Sequence, residues 1–264
     1  MEKLEVKECH KYLLDLAKEF HSICVRNNIP YYMLGGTQLG AIRHHGFIPW
    51  DDDMDFGVPR EHYSVLLKIL ERELRKDYKV LSVYNSDKYS NGFFKIEDTR
   101  TLIKEVNSKG MKNGVNIDIF PIDYTNSKKG VFSKNYWIVR LYQLETYSFA
   151  DLEDMGAFRT VLNKVLRILM FWANNKTIFN FINKHLILSE GDYWVNHYGA
   201  YADKEIVKKE IYGKPALYKF EDTELYGVER YDDYLNHFYG DYMQPPKGNA
   251  NHFHIEELYL VENK

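Results

Sequence analysis

Between Trp50 and Phe56 the chain reads WDDDMDF, which places four carboxylates in five consecutive positions. Acids packed this closely repel one another and raise each other's pKa values. Solvent, a cation, or a loop that fans them apart has to compensate. The spacing narrows the choice. Residues two apart in a strand share a face. Asp53 and Asp55 would then project together while Met54 and Phe56 turn into a core. Two parallel carboxylates on a rigid strand form a hard-oxygen chelate suited to Mg²⁺ or Mn²⁺. A solvated loop is the alternative for this pair.

A third acid stands in a similar setting. In "GVNIDIFPIDY", Asp118 lies between Ile117 and Ile119. A lone carboxylate on a buried strand is costly unless charge or hydrogen bonding offsets it, and a shared cation would serve all three acids. Upstream, "YYMLGG" reads as a short strand ending at Gly35 and Gly36, and "TQLGAIRHH" as a helix opening at Thr37. That turn lets backbone N–H groups approach a phosphate at a helix N-terminus. Arg43, Lys95 and Arg100 are candidate phosphate partners, a guanidinium engaging two oxygens at once. Lys95 reads equally well as a solvated strand-face lysine. Asp51 and Asp52 either orient a metal-bound water or cap the loop after Pro49-Trp50.

Around these motifs the pattern is mixed. Apolar residues at 13, 16, 17, 20, 23 and 24 predict a helix over 6–27. Strands are expected at 78–83, 92–97, 101–105 and 115–120, with Pro59 in the first turn of the intervening helix. This is an α+β core spanning 1–125. "TNSKKG" reads as a linker into a second region, 126–264, expected to be a helical and C-terminal acceptor or lid region packed on the core. From 131 to 188 the chain is apolar and aromatic, with Arg159, Lys164, Arg167, Lys176 and Lys184 as its later charges. These form either a solvated basic face or a surface that rests on an anionic membrane.

Bulk properties exclude several classes. A net charge of −3 gives no basic field for nucleic acid. Cys9 and Cys24 would lie about 22 Å apart along one helix, too far to pair, which fits a reducing compartment. The charged opening stretch lacks an apolar signal core and no apolar run is long enough to span a bilayer, so a cytoplasmic protein is expected.

The order of glycine turn, acid-x-acid pair and later acid resembles the nucleotidyltransferase superfamily. More closely, "LGGTQLGAIRHHGFIPWDDDMDFGVPREHY" is similar to the signature of the LicD family, and "FFKIEDTRTLIKE", "GVNIDIFPIDY" and "YLNHFYGDYMQPPKGNANHF" resemble its later blocks. The resemblance implies a nucleotidyltransferase-like mixed β-sheet with flanking helices. It also implies transfer of phosphocholine, or a related alcohol phosphate, from a CDP-activated donor such as CDP-choline to a sugar hydroxyl. Asp53, Asp55 and Asp118 match the family's metal-binding acids. The acceptor implied is a surface glycan such as a lipid-linked teichoic acid precursor, reached by peripheral contact at the inner membrane face. Choline, a quaternary ammonium, calls for an aromatic cage. Trp50, Tyr239 and Tyr242 are candidates, with His252 of the "HFH" tripeptide as a structural or substrate contact. The distant fukutin branch handles ribitol phosphate, so other CDP-alcohols stay open, as do nucleotidyl transfer from an NTP and a non-catalytic binding protein.

Overall fold

The computed structural model describes residues 1–86, 89, 91–106, 113–126, 165, 176, 177, 179, 180, 190–245 and 253–261. Strand β1 (Glu2–Leu4) and a 3₁₀ turn at Val6–Glu8 lead into helix α1 (Cys9–Arg26). Its apolar stripe, Leu13, Leu16, Ala17, Phe20, Ile23 and Cys24, is fully buried, as its spacing predicted. Asn28, at φ 55°, turns the chain out of the helix. The short strand β2 (Tyr32–Met33) then runs into α2 (Gly35–Arg43). Strand β3 (Asp55–Pro59) is followed at once by α3 (Arg60–Glu73), β4 (Tyr78–Leu81), β5 (Phe94–Asp98), β6 (Thr101–Glu105) and the ten-residue β7 (Asn116–Thr125).

Three boundaries differ from expectation. Strand β3 begins at Asp55, so Asp53 sits in the extended segment before it. Met54 and Phe56 are nonetheless buried, because extended backbone alternates its side chains whether or not it is paired. Pro59 closes β3 and precedes the helix. Strand β7 runs five residues past Phe120 because its far end finds a partner in β8.

The described part of the C-terminal region is not predominantly helical. It contains β8 (Tyr193–Val195), β9 (Ile206–Lys208), the one-turn α4 (Lys209–Tyr212), the hairpin β10 (Ala216–Phe220) and β11 (Thr223–Gly227), α5 (Tyr231–Tyr239) and β12 (Ile255–Leu260). Strands outweigh helices here because Val, Tyr, Phe and Trp alternate with polar residues, a period-2 pattern that suits pleated backbone. The linker at 125–130 and the basic stretch at 131–188 lie almost wholly outside the described residues, and the membrane-facing surface expected there falls among them. No helix among the described residues is long and apolar enough to cross a membrane.

The central sheet runs β2-β3-β7-β5-β4, with β8 and β9 added beyond the far end of β7. Among the described strands of this sheet only β3 and β7 are parallel, pairing Asp55 with Asp118 and Phe56 with Ile119. Strand β5 lies antiparallel on the other side of β7, with Lys95 opposite Asp118. A second sheet, β1-β12-β6, brings the last strand back between two early ones. Alternation sorts the faces of the central sheet. Phe56, Val58, Ile96, Ile117 and Ile119 pack against α1 and α3. Phe120 and Ile122 face a second core with Leu34, Trp194, Tyr234 and Phe238. Each fully buried large apolar side chain in these cores contributes roughly 1.5–3 kcal/mol.

Candidate functional site

Register places the acids. Asp118 is two residues before Phe120, so it shares the second-core face. Asp55, its parallel partner, projects on the same side from a strand about 4.8 Å away. Lys95 joins them from β5, its Nζ 2.8 Å from Asp118 Oδ1 as an ion pair. The ammonium directs a hydrogen bond to Asn116 Oδ1 at 2.9 Å. Asp118 Oδ1 is buried, and the Lys95 ammonium is the charge that faces it.

Helix α2 closes the other side. The Thr37 hydroxyl accepts the Asp55 backbone N–H at 2.9 Å, and Leu34 N donates to Asp55 O at 2.9 Å. The glycine turn is therefore stitched to the start of β3. Gly35 adopts φ +49°, and its N–H donates to the Tyr234 hydroxyl at 3.2 Å. A Cβ on Gly36 would stand 2.8 Å from Asp51 Oδ2, so the glycine lets that carboxylate rest over the head of α2, and a larger residue would make it shift.

The remaining acids are held from two directions. The Asp51 carbonyl meets His10 Nε2 at 2.6 Å. Asp52 is buried, accepts the Ile255 N–H at 2.6 Å, and contacts His254 Nδ1 at 3.2 Å. The same nitrogen lies 3.5 Å from Asp53 Oδ2. The start of β12 thus clamps the acid loop.

Negative charge accumulates here without full compensation. Burial, then the Asp53 carboxylate, pushes Asp51 up to about 8. Asp55 lies well above the usual carboxylate range because of burial and the charges of Asp53, Asp118 and Asp51. Asp53 is raised by burial and then by Asp118 and Asp52, although its side chain keeps 45% of its surface open to water, which tempers the rise. The contact with Asp52 and the charge of Asp53 lift His254 to about 9. For Lys95, burial favours the neutral form but Asp118 outweighs it, and the ammonium is stabilised. A cluster of hard oxygen donors that disfavour their own charges suits a divalent cation. Among the described residues no three side chains are already gathered as a metal-holding group.

The other residues singled out in the sequence separate into two groups. Tyr239 stands by the acids, its hydroxyl 3.6 Å from the position of a Cβ on Gly35. Trp50 lies half-buried and edge-on to His44, with ring centroids 6.3 Å apart. Arg43 spends its guanidinium on the Tyr242 carbonyl at 2.8 Å, tying α2 to the turn after α5. Arg100 sits at the β5–β6 turn and forks onto Asp98 at 2.9 and 2.6 Å, three residues further along β5 than Lys95. The structure does not bring it to the acids. Tyr242 is buried, and its hydroxyl donates to Asp232 at 2.7 Å, which removes it from any open cage. His252 lies outside the described residues; His254, two residues on, reaches the Asp52 and Asp53 carboxylates. A cavity of about 550 Å³ lined by Tyr63, Leu67, Val83, Phe93 and Phe94 contains none of the clustered acids.

With this geometry in place, the comparisons define the class. The model of the family described as LicD/FKTN/FKRP, nucleotidyltransferase domain, matches residues 28–155, which contain the glycine turn, the acid loop, Lys95 and Asp118. The chain is 30% identical over 270 positions to the lipopolysaccharide cholinephosphotransferase LicD of Haemophilus influenzae, covering 99% of this chain and all of that protein. The chain belongs to the LicD family, a family of transferases. An uncharacterized protein of Rickettsia typhi is 31% identical over 57% of this chain and 43% of its own length. The human ribitol 5-phosphate transferase FKRP is 23% identical over 49% of this chain and 23% of its own.

Proposed function

We propose that this protein transfers phosphocholine from CDP-choline to a sugar hydroxyl of a surface glycan precursor and releases CMP. The observation that carries the reading is the juxtaposition of Asp55 and Asp118 on parallel strands, with Asp53 beside them and the head of α2 across from them. Full-length similarity to a cholinephosphotransferase supports choline as the alcohol. The ribitol 5-phosphate transferase relative makes other CDP-alcohols (ribitol, glycerol or ethanolamine) the alternative donors.

The acceptor oxygen attacks the phosphorus that bears choline, in line with the bond to CMP, which breaks as the new P–O bond forms. Asp53, Asp55 and Asp118 would hold Mg²⁺ or Mn²⁺. When bound there, such an ion would supply positive charge against the diphosphate and would acidify a hydroxyl beside it. The backbone at Gly35, Gly36 and Thr37, at the positive end of α2, faces the donor phosphates. Lys95 holds Asp118 in place and adds positive charge on the same side. A site carboxylate accepts the proton of the acceptor hydroxyl. Arg43 acts at one remove, by fixing the turn at Tyr242. The acceptor is a lipid-linked glycan such as a teichoic acid precursor, and the protein works in the cytoplasm with peripheral contact at the inner membrane face.

The test is Mg²⁺-dependent release of CMP from labelled CDP-choline in the presence of cell-wall or lipopolysaccharide precursor. Asp53→Asn should abolish turnover without changing the melting temperature. Wild-type rates from Asp53→Asn, or pyrophosphate release from an NTP in place of CMP release, overturn the reading.

A further inference from the structure

Beside the acids stands an aromatic wall in which Tyr239, a candidate from the sequence, is joined by Tyr201, which no motif marked. Tyr201 and Tyr239 meet edge-to-face, with ring centroids 5.9 Å apart at 87° and hydroxyl oxygens 3.5 Å apart. Tyr201 also packs edge-on against Phe238 at 5.6 Å. Tyr239 leaves the last turn of α5, which Gly240 closes at φ +69°. Its hydroxyl lies over Gly35, and the charge of Asp55 reaches it. Tyr201 is 45% exposed, although most large aromatic residues of this core are buried. The ammonium of Lys204, on the same segment, is taken up by the Phe238 carbonyl at 2.8 Å and does not lie free against the rings.

We propose that Tyr201 and Tyr239 form the specificity wall that receives the trimethylammonium group of the donor. The inference rests on the phosphocholine reading above and deepens it. Its physical basis is charge complementarity and reach. The faces of tyrosine rings are negative and attract a cation that has no N–H to donate. The wall adjoins Gly35 at the head of α2, where the donor phosphates are placed. A headgroup one short alcohol linker beyond the reacting phosphorus falls on rings flanking that point. The two hydroxyls are turned toward each other, so a quaternary ammonium takes nothing from them. A polyol headgroup would instead have to compete for that contact. Cytosine stacking on the same rings is the rival occupant.

Calorimetry with CDP and CDP-choline separates these cases. The wild-type protein should bind CDP-choline more tightly than CDP. Tyr201→Ala should weaken CDP-choline about fivefold to tenfold, while leaving CDP within about twofold. Tyr201→Phe keeps the ring and should keep the preference. Tyr201 is half-exposed, so the alanine variant should fold, and an unchanged melting curve verifies this. Equal affinity of the wild type for CDP and CDP-choline overturns the proposal. So does an equal loss for both ligands in Tyr201→Ala, which would assign the rings to the cytosine. Failure of the phosphocholine reading itself shows in a different readout, the absence of choline transfer to acceptor.

Discussion

Asp52 offers the sharpest test of how the acid loop is held. Its carboxylate is buried and accepts two contacts from the start of β12, the Ile255 N–H at 2.6 Å and His254 Nδ1 at 3.2 Å. Ile255 is itself 5% exposed, so its N–H has no ready access to water when the carboxylate is removed. Removing the charged acceptor of a buried N–H leaves the donor unsatisfied, which costs about 3 kcal/mol at the upper end of the usual range. Against this, Asp52→Ala relieves repulsion with Asp51 and Asp53, which offsets about 1 kcal/mol at water-like screening. The net loss is about 2 kcal/mol. For a chain of this size that corresponds to a fall in Tm of about 4–8 °C. Asp52→Asn keeps one oxygen for Ile255 and should lose roughly half as much. His254→Ala, whose side chain is 68% exposed and whose contact is screened by water, should lower Tm less than Asp52→Ala. Thermal unfolding followed by circular dichroism gives the order, and hydrogen exchange over 253–261 should show lost protection at Ile255 only in the Asp52 variants. An Asp52→Ala protein that melts with the wild type and keeps Ile255 protected would refute the clamp.

Two further predictions concern a buried ion pair and the two thiols. Asp123 and Arg60 form a forked pair at 2.7 and 2.8 Å, and their side chains are 2% and 13% exposed. Asp123→Ala takes the carboxylate from a buried guanidinium and should cost about 3–5 kcal/mol by urea denaturation, whereas Arg60→Met with Asp123→Leu should recover much of it. If the single and double variants are equally destabilised, the pair is not what stabilises this end of β7. Burial pushes the Cys9 thiol up to about 12, with Asp52 adding to the shift, and raises Cys24 further. A raised thiol pKa means less thiolate, so at pH 8 the native protein should react negligibly with a disulfide reagent, and both thiols should react at once in guanidinium. Fast labelling of either cysteine in the native state contradicts this burial.

What the sequence disclosed and what it concealed divide along the range of the interactions involved. Helix α1 was legible because six apolar residues at helical spacing declare a face without reference to anything else. Met54 and Phe56 were placed correctly for the same reason: alternation is a property of the segment itself. The acid cluster advertised itself because adjacent carboxylates pose a local problem of charge. The answers to that problem come from elsewhere in the chain. Lys95 meets Asp118 only through the β5–β7 register, and His254 meets Asp52 only because β12 returns between β1 and β6. Neither registry is encoded in the spacing of nearby residues, so Asp52 stood undecided between two roles. Tyr201 left no mark, since one tyrosine among 22 has nothing to distinguish it until α5 brings Tyr239 beside it. The β10–β11 hairpin is a different kind of miss. Its two runs, Ala216–Phe220 and Thr223–Gly227, alternate in burial around a turn with Glu221 at φ 53°, a signal that was present but obscured by aromatic composition. Arg100 shows the converse. Its charge suggested a ligand, yet a carboxylate two residues away satisfied it first. A charged residue with a local partner is accounted for where it stands. The acids at 51–55 and 118 are set apart by burial and mutual repulsion that their neighbours in sequence do not relieve, and the proposal of a bound cation rests on that contrast.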